Sequence, residues 1–326
     1  MDDIVILGGA RTAIGSFGGS LAGVPPTELG AIVARAALER SGVTPEQIGH
    51  VVFGHVINTE PRDMYLSRIA AVEAGIPETV PAMNVNRLCG SGMQSIVSVI
   101  QSLQLGDAAF GLAGGSENMS RAPHTIAASR WGQKMGDTAM TDMMIGALTC
   151  PFGTGHMGVT AENVADRYGI DRAAQDSFAV TSQERALNAI RAGYFDDQIV
   201  PVRITIRRQT HEFATDEYPK ATTLESLAGL RAVFRKDGTV TAGNASGIND
   251  GAAAVVLATA SAAQEANCRP QAKIIGYAHA GIDPAIMGAG PIPAVGKLLK
   301  STGTSADDYD VIESNEAFAA QALAVT

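Results

Sequence analysis

Residues 80–105 read VPAMNVNRLCGSGMQSIVSVIQSLQL, and they set a cysteine between two kinds of periodicity. Val80 to Val85 is an extended apolar stretch with β-branched side chains. From Met93 onward, Ile96, Val97, Val99, Ile100 and Leu103 recur at helical spacing up to Gly106. Cys89 therefore falls at or just before the first turn of a mostly buried helix. The unpaired N–H groups and the positive dipole end at such a turn favour a thiolate, which is the nucleophilic form of cysteine. Gly90 and Gly92 carry no side chain, so a carbonyl has room to approach the sulfur and to receive a backbone N–H bond. From the local pattern two readings stand: a nucleophile, or one more small buried residue in an Ala- and Gly-rich chain.

Outward from this junction the same alternation repeats. Asp3 to Leu7 reads as a short strand closed by Gly8 and Gly9, Pro26 to Ser41 as a helix and Val51 to Phe53 as a strand. Tyr65 to Ala74 reads as a helix and Ala108 to Ala113 as a strand, which predicts a mixed or parallel sheet covered by helices. The rhythm breaks from Ser116 to about Asn249, a stretch of short helices, a Gly/Met-rich region and a basic segment. It resumes with strands at 252–258, 272–276 and 309–312, a helix over 292–301 and another from about Glu316. These shifts divide the chain into an N-terminal domain (1–118 plus 250–269), a loop domain (119–249) and part of a C-terminal domain (270–326). The last residues, EAFAAQALAVT, are helical and apolar without a terminal Gly or basic turn. The expectation is a second sheet of only two or three strands, left incomplete.

A chain of 326 residues, 46% hydrophobic, suggests about two domains. Only 5% of residues are aromatic while 36 are glycine, a composition that lets helices and strands pack closely. No apolar run reaches the ~18 residues of a membrane span, and Met1-Asp2-Asp3 lacks the basic start of a signal peptide. Cys89, Cys150 and Cys268 are odd in number and without zinc spacing, which points to free thiols in the cytoplasm. No histidine pair has metal-ligand spacing, so no metal is expected. The net charge of −9 argues against nucleic acid. Residues 203–236 depart from it, with seven Lys or Arg against four Asp or Glu. Such a segment is either a solvated hairpin or a landing site for a phosphorylated cofactor. A nicotinamide enzyme is disfavoured, because no Gly-x-Gly-x-x-Gly follows the first strand.

Six segments in order carry a resemblance. They are residues 9–15 (GARTAIG), 86–92 (NRLCGSG), 114–120 (GGSENMS), 156–162 (HMGVTAE), 239–250 (TVTAGNASGIND) and 315–319 (NEAFA). Together they resemble the thiolase family of acetyl-CoA acetyltransferases and 3-ketoacyl-CoA thiolases. Residues 58–64 (NTEPRDM) and 121–136 are similar to the bacterial biosynthetic branch, which includes the β-ketothiolases of polyhydroxyalkanoate synthesis. The resemblance implies an α/β protein with the thiolase fold: two similar αβα halves making five layers (αβαβα), the second half incomplete here. It implies a ping-pong acyltransferase, with acyl-CoA and acetyl-CoA as substrates and no tightly bound cofactor, assembled as a homotetramer built from dimers. Cys89 would hold the acyl group and Asn315 an oxyanion-site water. His156, Met157, Leu148, Phe234, Met287 and Phe318 would line the acyl and pantetheine tunnel. Ala245 and Ser246 would flank the pantetheine arm, with Lys220 near the nucleotide. The family's C-terminal histidine and second-cysteine motifs have no match in these residues, so a non-catalytic CoA-binding protein is the alternative. Cys150, Cys268, His50, His55, His124, His211 and His279 stand in no such motif and are expected to be structural or surface residues.

Overall fold

The computed structural model describes residues 2–326. They form two compact units. One comprises the chain up to Ala147, Tyr194–Tyr218 and Ile248–Ile274; the other comprises Leu148–Gly193, Pro219–Gly247 and Ile275–Thr326.

The first unit is built on strands β1 (Ile4–Arg11), β2 (Ile48–Gly54), β3 (Ala82–Val85), β4 (Phe110–Asn118), β5 (Asn249–Thr259) and β6 (Ala272–Ile274). Its sheet runs β6-β1-β5-β4-β2-β3, with Gly15–Ser16 as a seventh, two-residue strand on β5. β2 is parallel to β3 and β4, whereas β5 is antiparallel to both β1 and β4, giving the expected mixed sheet. The three longest helices on this sheet are α1 (Pro26–Ser41), α2 (Leu66–Glu73) and α3 (Ser91–Leu105). Alternation along the strands sorts the core into two faces. Val51, Phe53 and Leu112 pack with Leu29 and Val33 of α1 and Leu66 of α2. Val52, Ala113 and Leu257 pack with Val99, Ile100 and Leu103 of α3. Each such buried side chain contributes roughly 1.5–3 kcal/mol, so α3 is held by the sheet rather than by its own propensity.

The structure departs from the sequence pattern in three places. β1 does not stop at Leu7 but continues to Arg11, with a register shift between Ile6 and Gly8. A Cβ on Gly8 would lie 2.7 Å from the backbone nitrogen of Ser41, so this glycine serves close packing of α1 on the strand instead of ending it. The strand near 272 lies antiparallel on β1, adding to the first sheet. Met93, counted with the apolar stripe of α3, is 73% exposed.

The second unit holds α4 (Met157–Tyr168), α5 (Arg172–Arg191), α6 (Pro291–Thr302) and α7 (Ala319–Val325), with a small hairpin of Thr149–Cys150 and Gly155–His156. The strand expected at 309–312 is not formed: these residues have no ladder, and Val311 and Ile312 are 76% and 68% exposed. Apolar alternation gives a segment the capacity to pair, but a strand exists only beside a partner. The helix expected from Glu316 begins at Ala319, because Phe318 is extended and bridges Ala245 instead.

Candidate active site

In the first unit the site is a turn on bare sheet. α3 begins at Ser91 with Gly90 as its cap, so Cys89 stands just ahead of the cap, two residues before the first helical residue, and is exposed. The chain reaches it through a tight bend. Gly90 N–H donates to Arg87 O at 3.1 Å, Ser91 N–H to Leu88 O at 2.9 Å, and Leu88 N–H to Asn86 Oδ1 at 3.0 Å. Beneath the bend the sheet carries glycine. A Cβ on Gly54 of β2 would sit 2.6 Å from the Ser91 carbonyl carbon, and one on Gly115 of β4 would lie 3.6 Å from Gly92 Cα. Above the bend a Cβ on Gly92 would meet nothing within 4 Å. An exposed thiol therefore faces open space over the first helical turn, where orphan N–H groups collect. That arrangement suits attack on an acyl carbonyl arriving from solvent.

In the second unit three motif segments converge. The buried Glu162 carboxylate accepts the N–H groups of Thr239 (2.9 Å) and Val240 (2.9 Å), tying segment 156–162 to segment 239–250. Ser246 N–H donates to Ala317 O at 3.0 Å and Ala319 N–H to Asn244 O at 2.9 Å, which ties segment 239–250 to segment 315–319. Around this junction His156 stacks on Phe234 with centroids 4.8 Å apart, and Phe234 meets Phe318 edge-on at 6.2 Å. Met157 N–H donates to Leu148 O at 2.8 Å. His156 also caps α4, its Nδ1 accepting the Gly158 N–H at 3.1 Å, and burial pulls its pKa below the ordinary histidine value. The structure thus groups His156, Phe234 and Phe318, with Ala245 and Ser246 beside them and Leu148 tied to Met157.

Residues 4–261 match the model of the thiolase N-terminal domain and residues 268–326 that of the thiolase C-terminal domain. The chain belongs to the thiolase family. It is 55% identical over 326 residues to the beta-ketothiolase BktB of Cupriavidus necator, covering 99% of this chain and 83% of that one. Among solved structures it superposes on the acetyl-CoA acetyltransferase of Bacillus anthracis with a TM-score of 0.97 and 46% identity, covering 100% of this chain and 82% of that one. It also superposes on human mitochondrial 3-ketoacyl-CoA thiolase in complex with CoA, with a TM-score of 0.95 and 42% identity over 99% and 82% of the two chains. The fold is the thiolase fold.

The other residues singled out in this thiolase chain differ in exposure. Asn315 and Lys220 are exposed, Lys220 through an anchored backbone whose N–H donates to Gln183 Oε1 at 2.9 Å. Met287 lies in a 3-10 helix, Pro284–Ala289, from which Ile286 and Ala289 enter the core. His55 is buried, its Nδ1 2.8 Å from Ser116 O and 3.5 Å from Glu117. Burial raises the pKa of Glu117, against the pull of His55 and of the Ile57 and Val56 N–H groups. Cys150 is buried in the 149–156 hairpin, and hydrogen bonds from Thr154 and Phe152 hold its thiol below the ordinary range. Among the described residues no group of three or more His, Cys, Asp or Glu is arranged to hold a metal ion. No helix of those residues is long and apolar enough to cross a membrane. Two contributors escaped the sequence reading: Gly158, over which the Phe234 ring lies so closely that a Cβ would be 2.2 Å from it, and Glu162. Both lie inside segment 156–162, but their value comes from partners more than seventy residues away.

Proposed function

We propose that this chain is a thiolase that carries an acyl group on Cys89. The sulfur attacks the carbonyl of an acyl-CoA; the Sγ–acyl bond forms, the acyl–sulfur bond of CoA breaks, and CoA leaves as the thiol. The α-carbon of acetyl-CoA then loses a proton and takes the acyl group: the C–C bond of 3-ketoacyl-CoA forms, the Sγ–acyl bond breaks, and Cys89 ends as the thiol with that proton taken up overall; the reverse sequence is thiolysis with CoA as acceptor. The observation that carries this reading is the exposed Cys89 thiol ahead of a helix whose first turn rests on glycine. His156, Met157, Leu148, Phe234, Met287 and Phe318 are assigned to the acyl and pantetheine channel, Ala245 and Ser246 to the pantetheine arm, Lys220 to the nucleotide and Asn315 to an oxyanion-site water. The loop domain, 119–249, would supply CoA binding and tetramer contacts.

The assembly follows from the same loop. Trp131, Met135 and Met140 are 86%, 89% and 66% exposed, three large apolar side chains within ten residues of one loop, which a neighbouring subunit would cover. A homotetramer, a dimer of dimers, is the reading favoured. The three unpaired thiols fit a cytoplasmic setting, and the likeness of segments 58–64 and 121–136 to the biosynthetic branch points to polyhydroxyalkanoate synthesis within fatty acid metabolism. The decisive experiment is peptide mass mapping after incubation with acetyl-CoA. An acetyl group on Cys89 is expected, together with complete loss of labelling in Cys89→Ala. Label retained by that variant would overturn the assignment.

A further inference from the structure

We propose that Ser91 is a positioning residue for the Cys89 nucleophile, clamping, together with Asn86, the bend that presents the sulfur. The inference rests on the reading of Cys89 as the acyl carrier. Ser91 is 5% exposed, and its hydroxyl is used twice. It donates to Leu88 O at 2.6 Å and accepts the Arg87 N–H at 2.8 Å. From the other side, the Asn86 side-chain oxygen takes the Leu88 N–H at 3.0 Å.

Between these two side chains Leu88 holds φ +47°, a left-handed conformation that leucine avoids. Leu88 is itself 49% exposed, so burial of its side chain does not enforce that conformation. The flanking hydrogen bonds do. Ser91 in turn cannot settle lower, because the backbone of Gly54 lies directly against it. The direction of the Cys89 side chain is thus fixed by a left-handed residue before it and a buried hydroxyl two residues after it. Acyl transfer requires the sulfur to meet the carbonyl along a defined line, whereas binding of acyl-CoA does not depend on that line.

The test compares rates of acyl-Cys89 formation from acetyl-CoA, followed by intact mass under rapid quench, with the rate of alkylation by iodoacetamide. In Ser91→Ala the maximal acylation rate is expected to fall about 10- to 100-fold, the cost of a small misalignment. The half-saturating acetyl-CoA concentration should stay within about twofold and alkylation within about threefold, because neither depends on alignment to that degree. Ser91→Thr, which keeps the hydroxyl, should restore most of the rate. Asn86→Ala is exposed and folds regardless of the fate of Ser91→Ala; it should show a smaller loss of the same kind. Wild-type acylation in Asn86→Ala and Ser91→Ala overturns the clamp, as does a Ser91→Thr variant as slow as the alanine form. If Ser91→Ala fails to fold, wild-type acylation in Asn86→Ala overturns it alone. Cys89→Ala run alongside separates the two ideas: label persisting there defeats the nucleophile reading, whereas label lost there together with wild-type acylation rates in the Ser91→Ala and Asn86→Ala variants defeats the clamp alone.

Discussion

His156 ties local chemistry to packing. Its Nδ1 accepts a backbone N–H and its ring is partly buried against Phe234, so the folded state favours the neutral imidazole. The folded form binds fewer protons than the unfolded chain. The stability contributed by neutral His156 is therefore complete above its unfolded value, about 6.5, and is lost as pH falls through the lower folded value. Titration of the ring by NMR should give a midpoint below that of free histidine, and Phe234→Leu should move it back upward; an unmoved midpoint would mean that ring burial is not the cause. His156 was legible from sequence through segment 156–162, and Phe234, which lies in none of the quoted segments, only through the resemblance as a whole. Glu162 was not, since a buried carboxylate is useful only for the N–H groups it meets, and Thr239 and Val240 lie far along the chain.

Among the elements, α3 and the strands beneath it make the sharpest case. Gly54→Ala puts a methyl group where the backbone of Ser91 already lies. Overpacking of this sort costs about 1–3 kcal/mol, and the loss should appear as a lower midpoint in urea unfolding with an unchanged slope. A midpoint equal to wild type would show that α3 lifts freely from the sheet. Element positions were read well wherever periodicity and caps coincided, as in α1, which starts at Pro26 and ends before the left-handed Gly42. They were read badly where a glycine could mean either a break or a close approach. At Gly8 only the neighbouring helix decides between the two. The segment at 309–312 failed for a related reason: its pattern is that of a strand, but a pattern supplies no neighbour.

At the scale of the molecule, the stretch Tyr194–Tyr218 is bound into the first unit through Asp216. Its carboxylate pairs with both terminal nitrogens of Arg11, at 2.8 and 3.0 Å, and accepts the Ile14 N–H at 2.8 Å. Removing it in Asp216→Ala leaves a partly buried arginine without its carboxylate, with only Gln198, the Thr12 carbonyl and the Phe195 ring beside it, at a cost of up to about 3 kcal/mol. Limited proteolysis should then cut within 194–218 far faster than in the parent, and equal cutting rates would show that the strap is held by other contacts. On the loop, Trp131→Asp combined with Met135→Asp should halve the mass measured by light scattering if those side chains seal the tetramer; a full-size assembly would exclude them from it. The order of strands has a further consequence, for the ribosome. β5 lies between β1 and β4, yet it is encoded after residue 248, whereas β4 ends at Asn118. At synthesis rates of about 5–20 residues per second, the nascent chain spends roughly 7–26 s with β1 unpaired and the fragment β4-β2-β3 open at β4. During that interval β1 and β4 offer open edges to any passing strand, which makes this protein a natural client for holding chaperones until the late strand arrives to zip the halves together.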